Sequence, residues 1–197
     1  MSRSLLFLLF LFVQATRAEP VERFSKETTI SFAQRIAPKN SVLAHKPVEA
    51  RAWSERYPSL LLFYESPVGD SNDGMTNIQG LLFLQKTDGR YDQLQVDHFD
   101  PEGGNPKIES IFFESVAGYS SKILFIIVSW EQNHAVLKGR LYETFTYAAP
   151  GPGQGKLTYL EALSDKFSGG CECWRLDEPA TKARFKTASD VRAVLRR

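Results

Sequence analysis

Residues 123–128 read Ile-Leu-Phe-Ile-Ile-Val, an unbroken apolar run inside the segment KILFIIVSWEQ. The run is far shorter than the roughly 20 apolar residues that cross a bilayer. It is rich in β-branched and aromatic side chains and is bounded by polar residues, which predicts a buried central strand. Half exposed, such a strand would leave either Ile123, Phe125 and Ile127 or Leu124, Ile126 and Val128 in water. Burying each of these side chains is worth roughly 1.5–3 kcal/mol, so both faces are expected to be covered.

The flanking chain is consistent with a sheet around this strand. Residues 59–65, 78–86, 90–99, 107–116 and 136–147 each read as strands. Asp88-Gly89 is a hairpin signal between the second and third of these. Polar or Gly/Pro-rich loops lie at 67–77, 100–106 and 149–156. Residues 28–36 are expected as an N-terminal strand, with a short amphipathic helix as the alternative, and 48–56 as a helix stopped by Pro58. Residues 157–167 should begin as a strand and end as a helical turn. Residues 168–173 read as a loop, and 184–186 as a last short strand. Thr187 suits a helix N-cap, with Asp190 in the first turn and Ala188, Val191, Val194 and Leu195 on one face. Short connections favour meander pairing. The expected fold is mainly β, with antiparallel meander sheets arranged as a sandwich or an incomplete β-propeller and a short C-terminal helix.

The N-terminus carries Arg3, the apolar stretch LLFLLFLFV, and then small residues ending at Ala18. This is the pattern of a signal peptide over residues 1–18, cleaved after Ala18 with Ala15 as the alternative. Residues 19–197 are then expected as one β-rich domain in the periplasm or outside the cell, with no transmembrane segment after processing. The full chain has 24 basic and 23 acidic residues; loss of Arg3 and Arg17 leaves a formal charge of −1. That balance argues against nucleic acid as a partner.

Cys171 and Cys173 are the two cysteines. In an exported protein a disulfide between them is the first expectation, with free thiols or metal ligation as alternatives. His45, His98 and His134 are scattered and read as surface or turn residues. The oxygen-rich stretch Asp70-Ser71-Asn72-Asp73-Gly74 departs from the full calcium-loop order, so a polar turn is expected there, with calcium as the alternative and no other cofactor. Motifs for nucleophilic, zinc or phosphate chemistry are missing, and no catalytic residue is assigned. Glu143 stands out because alternation puts it on the apolar face between Leu141 and Phe145, where a carboxylate needs a partner or a raised pKa. A bulge, or a salt bridge to Arg140 or Arg184, is the common explanation for such a residue. Glu114 and Glu131 are strand-end acids.

The stretch 108–147 resembles FG-GAP/VCBS-like sequences of exported bacterial proteins. The resemblance lies in IESIFFESV, the following turn, ILFIIVSW, and then His134, Gly139-Arg140-Leu141-Tyr142-Glu143 and Tyr147. The tail, FSGGCEC and a final helix, is similar to that of small periplasmic proteins of this kind. The chain departs from the family at Ser115-Val116-Ala117-Gly118-Tyr119, where an acidic calcium turn is expected. Some such proteins are incomplete β-propellers that inhibit peptidoglycan hydrolases by inserting a loop with Ser, Gly and Tyr. The resemblance therefore implies contact loops at Gly118, Tyr119 and Ser120, and at Ser168, Gly169, Gly170 and Trp174. It implies a non-enzymatic periplasmic or secreted binding protein, such as an inhibitor or immunity protein whose partner is a cell-wall hydrolase. A secreted hydrolase-type enzyme using a buried carboxylate, and a structural envelope module, are the alternatives.

Overall fold

The computed structural model describes residues 20–54, 59–69, 74–176 and 178–196. The expected signal peptide lies outside the described residues, as do Asp70, Ser71, Asn72 and Asp73 of the oxygen-rich loop. In chain order the elements are β1 (Val21–Glu22), α1 (Thr29–Arg35), β2 (Val42–Leu43), β3 (Val48–Glu49), β4 (Leu60–Pro67), β5 (Thr76–Gln85), β6 (Arg90–Phe99), β7 (Pro106–Glu114), β8 (Ile123–Asn133), β9 (Leu137–Tyr147), α2 (Glu161–Lys166), β10 (Gly170–Arg175) and α3 (Ala188–Leu195). The first sheet runs β1-β6-β5-β4-β2, with β3 also on β4; the second runs β10-β9-β8-β7. All named pairings are antiparallel and the long strands follow one another as meanders. One sheet is strongly curled, as a half-barrel. The chain is thus mainly β, antiparallel and closed by a short C-terminal helix, as its alternation predicts.

The apolar run of β8 explains the layering. Its side chains alternate between two cores. Leu124, Ile126, Val128 and Trp130 face the first sheet, where they meet Leu61, Phe63, Leu94 and Val96. Ile123, Phe125 and Ile127 face the other way, against Leu163, Phe167, Phe185 and Val191 from α2, α3 and the segment before α3. β4 has the same double burial. Leu61 and Phe63 point to the shared core, while Leu60, Leu62 and Tyr64 meet Phe32 and Ala33 of α1. Two sheets packed on each other, each with a helix-covered outer face, satisfy every apolar face of both strands.

Several local expectations are corrected. Residues 28–36 form a helix, not a strand: the Thr28 side chain accepts from the Ser31 amide as N-cap, and the covering of β4 selects the helical spacing of Phe32 and Ala33. Residues 48–56 do not begin as a helix, because Val48 and Glu49 pair with Leu61 and Leu60 and the Ala50 amide donates to the Ser59 carbonyl. Residues 51–53 form a turn, and 55–58 lie outside the described residues. The expected loop at 168–173 becomes strand β10 from Gly170 onward. Gly139 makes this possible, since the Glu172 carbonyl occupies the place of a Cβ there. Residues 184–186 form no strand; the Arg184 amide donates to the Gly169 carbonyl and Phe185 is buried under the second sheet. The stretch from 157 makes only an isolated bridge at Tyr159 before α2. α3 carries the expected capping box between Thr187 and Asp190.

Phe125 is fully buried, stacked on Phe112 at 5.1 Å and edge-on to Phe167 at 5.8 Å. Phe125→Ala should therefore lower the unfolding free energy by about 3–5 kcal/mol. The check is urea denaturation, in which the midpoint should fall with little change in slope.

Candidate functional site

Where β6 ends, Asp97, His98 and Phe99 lead into residues 100–105, which carry the chain across to β7 and the second sheet. This crossover is pressed onto the end of β8. The Glu131 carbonyl takes the space of a Cβ at Gly104, and Gly103 has φ +75°, so both positions favour glycine. Trp130 Nε1 donates to the Asp100 carbonyl at 2.8 Å, and Gln132 Nε2 to the Glu102 carbonyl at 2.5 Å. The acidic loop is thereby held over β8 and beside Glu143 and Phe145 of β9. Together they enclose a cleft of about 230 Å³.

Its floor is aromatic. Phe99 and Trp130 are each 2% exposed, and their rings lie 4.9 Å and 6.4 Å from that of Phe145. Its rim is acidic: Asp97, Asp100, Glu102 and Glu143 all line it. Asp97 accepts a hydrogen bond from the buried Tyr147 hydroxyl and lies 3.5 Å from Lys156 Nζ. Burial, reinforced by the Asp97 charge, pushes the Tyr147 hydroxyl far above the ordinary tyrosine range. His98 Nε2 stands 3.1 Å from Asp100 Oδ1. Among the described residues, no Lys or Arg lies within ion-pair distance of Glu102 or Glu143. Burial, and then the nearby Glu102 charge, raise the Glu143 pKa above the usual carboxylate value.

The common explanations for an inward Glu143 do not hold here. The register of β9 on β8 runs without a shift from Leu124↔Tyr147 to Asn133↔Lys138, so no bulge turns the residue outward. Arg140 pairs instead with Glu109 at 3.4 Å, and Arg184 lies over the Phe185 ring at 5.2 Å.

A second, smaller cavity lies behind Glu143. β10 pairs with β9 only as far as Gly170↔Tyr142. The outer edge of β9 is next covered at Thr146 and Ala148, through the Leu160 amide and the Thr158 carbonyl. The gap between them, closed by α2, holds about 90 Å³ and is lined by Glu143, Thr144, Phe145, Tyr159, Ser164, Asp165 and Ser168. Thr144 is 3% exposed, and its hydroxyl has no hydrogen-bond partner among the described residues.

The residues singled out in the sequence are dispersed. Gly118, Tyr119 and Ser120 lie exposed in the turn between β7 and β8, at the Ile123 end of β8. Trp174, 50% exposed, pairs with Lys138, and Lys138 with Asn133 at the opposite end of that strand. Trp174 is thus about 30 Å along the strand direction from the Gly118–Ser120 turn, so the two do not form one surface. Ser168 joins Glu143 at the smaller cavity, whereas Gly169 is buried against Tyr142 and Phe185. Gly170 begins β10, in which Cys171 and Cys173 are bonded to each other. Glu114 pairs with Arg192 of α3. Asp97, His98, Asp100, Glu102 and Trp130 were not singled out as site residues by sequence reasoning. Their acidity and turn chemistry fit an ordinary loop until the crossover places them opposite Glu143.

Among the described residues no three His, Cys, Asp or Glu side chains are gathered closely enough to hold a metal ion, and no helix is long and apolar enough to cross a membrane. No protein-family model, characterised protein or solved structure matches the chain. What the cleft offers chemically is a set of hydrogen-bond acceptors, two of them without a cation, above a greasy floor.

The raised Glu143 pKa has a definite sign for stability. Below the ordinary carboxylate range both folded and unfolded states hold the proton, and the residue is neutral in effect. As pH rises through the ordinary value and then the raised one, the folded state is increasingly penalised relative to the unfolded state. Glu143→Gln removes that penalty. Its unfolding midpoint should match the parent protein at pH 3.5 and exceed it at pH 7, as measured by urea titration across this range.

Proposed function

We propose that the chain is an exported, non-enzymatic binding protein that acts on a protein partner, with a cell-wall hydrolase as the partner class to test first. The cleft is the observation that carries this reading. It is a concave polar site held by two sheets and a crossover, on a scaffold whose outer sheet faces carry helices. At about 230 Å³ it is smaller than the roughly 300–1,000 Å³ typical of pockets for drug-sized ligands, and it suits one anchoring side chain better than a whole metabolite. The leader-like N-terminus and the resemblance of residues 108–147 to exported bacterial proteins support the compartment and the partner class.

The test mixes the purified mature chain with a panel of peptidoglycan hydrolases, including any encoded beside its gene. Complex formation on size exclusion and slowed release of soluble cell-wall fragments, saturating near one equivalent, are expected. Absence of both removes the inhibitor reading.

A second reading rests on Glu143 itself. A carboxyl that holds its proton above the usual range, beside other carboxylates, is suited to general acid catalysis in a secreted hydrolase. In that case Glu143→Gln abolishes turnover of cell-wall substrates by the isolated chain while preserving the fold. The binding reading expects no such turnover in either form.

A further inference from the structure

We propose that the Cys171–Cys173 pair is a thiol–disulfide exchange site that passes its bond to a pair of cysteine thiols on another polypeptide. The inference goes beyond the binding reading and rests on a different part of the molecule, strand β10.

The backbone that carries the pair is held on both sides. β10 pairs with β9 without a shift from Gly170↔Tyr142 to Arg175↔Leu137. On its other edge the Thr181 amide donates to the Cys173 carbonyl at 2.8 Å, and the Cys173 amide donates to the Thr181 hydroxyl at 3.3 Å. In a regular strand, residues two apart have Cα atoms about 6.6 Å from each other, close to the outer limit that a disulfide spans. Here the two Cα atoms stand 5.2 Å apart. The ladder and the bond therefore pull against each other, and opening the bond lets the strand return to its own spacing. Disulfides under tension or open to solvent are the more readily reduced.

The two sulfurs are unequal. Cys173 is 4% exposed and lies opposite Gly139, where a Cβ would come within 3.0 Å of its Sγ. The missing side chain at 139 thus makes the seat for that sulfur. Cys171 is partly exposed, and the exposed Gly170 before it has no heavy atom within 4 Å of the place of a Cβ. A thiolate attacks in line with the S–S bond, from the side away from the leaving sulfur. For Cys171 that side is the open Gly170 end. Trp174 and Leu176, 50% and 55% exposed at the other end of the strand, offer apolar contact to a polypeptide rather than to a small thiol.

The steps balance as follows. One thiolate of the incoming dithiol attacks Cys171 Sγ. The Sγ–Sγ bond breaks, its electron pair leaves on Cys173 Sγ, which takes up a proton, and a mixed disulfide joins the two chains. The second thiolate of the dithiol attacks its own partner sulfur in that bond, and Cys171 leaves and is protonated. The dithiol has lost two electrons and two protons, and the cysteine pair has gained them. A low-molecular-weight disulfide of the cystine or glutathione class restores the bond by the reverse sequence.

The experiment uses the whole mature chain. In about 1 mM reduced and about 0.1 mM oxidised glutathione, where structural disulfides stay closed, most of the pair should open, as counted by maleimide trapping and mass spectrometry. With Cys173→Ser, the Cys171 thiol should alkylate about tenfold faster than the Cys173 thiol does with Cys171→Ser. A reduced peptide carrying two cysteines, with oxidised glutathione as the final oxidant, should close about tenfold faster with the parent chain than without it, and neither serine variant should give this acceleration. Reduction should leave a single cooperative urea transition.

A pair that stays closed in that glutathione mixture, equal alkylation of the two thiols, no acceleration of peptide closure, acceleration retained by both serine variants, or loss of the cooperative transition on reduction would each overturn the proposal. The partition in glutathione needs no substitution, so it decides the matter even where a serine variant fails to fold.

Discussion

Everything in this fold answers to two strands that have no polar face. β8 and β4 each send apolar side chains both ways, so neither can lie at a surface. A single sheet would leave half of those side chains in water, at a cost of roughly 1.5–3 kcal/mol for each. Packing the two sheets together buries one set from each strand. The second sets require covers of their own, and these are short: α1 over β4, and α2, α3 and Phe185 over β8. The covers are held by specific contacts as well as by apolar area. Tyr64 donates to the Ala33 carbonyl at 2.7 Å, and Arg192 of α3 pairs with Glu114 of β7. Trp53 Nε1 reaches the Lys122 carbonyl at 2.7 Å, joining the β3–β4 connection to the start of β8.

The long strands and the last helix were legible because their signals are local. Alternation marks 90–99 and 136–147, the apolar run marks 123–128, and the capping box marks 187–190. The shorter elements were not legible, since their shape is decided by what they touch. The Thr28-Thr29-Ile30 run favours a strand by propensity, yet Phe32 and Ala33 are needed as a cover and the helix wins. The segment 168–173 reads as a loop from its glycines, but those glycines permit the close approach that makes β10 a strand. Glu143 was legible as an inward acid from strict alternation alone. Its surroundings were not, because they are set by the register between sheets far apart in sequence. Asp97 and Glu102 look like ordinary turn acids until β6 hands the chain to β7.

The site is therefore a product of the crossover more than of any motif. Gly103 and Gly104 let residues 100–105 lie almost on the backbone of β8, and the two bonds from Trp130 and Gln132 pin the loop there. The same side chains that close the shared core at that end form the floor of the cleft. Core packing and site geometry are consequently coupled: a change to Trp130 alters the shared core and the position of the acidic rim together.

The Cys171–Cys173 bond has a consequence of a different kind. It closes a ring over a single intervening residue, and the two side chains already project from the same side of β10. A link this short removes very little freedom from a chain that is unfolded, because the ends it joins are never far apart. The bond shapes the edge of one strand without holding the domain together. The entropic share of the bond is therefore small beside the buried faces of β4 and β8, which supply most of the apolar area that drives folding.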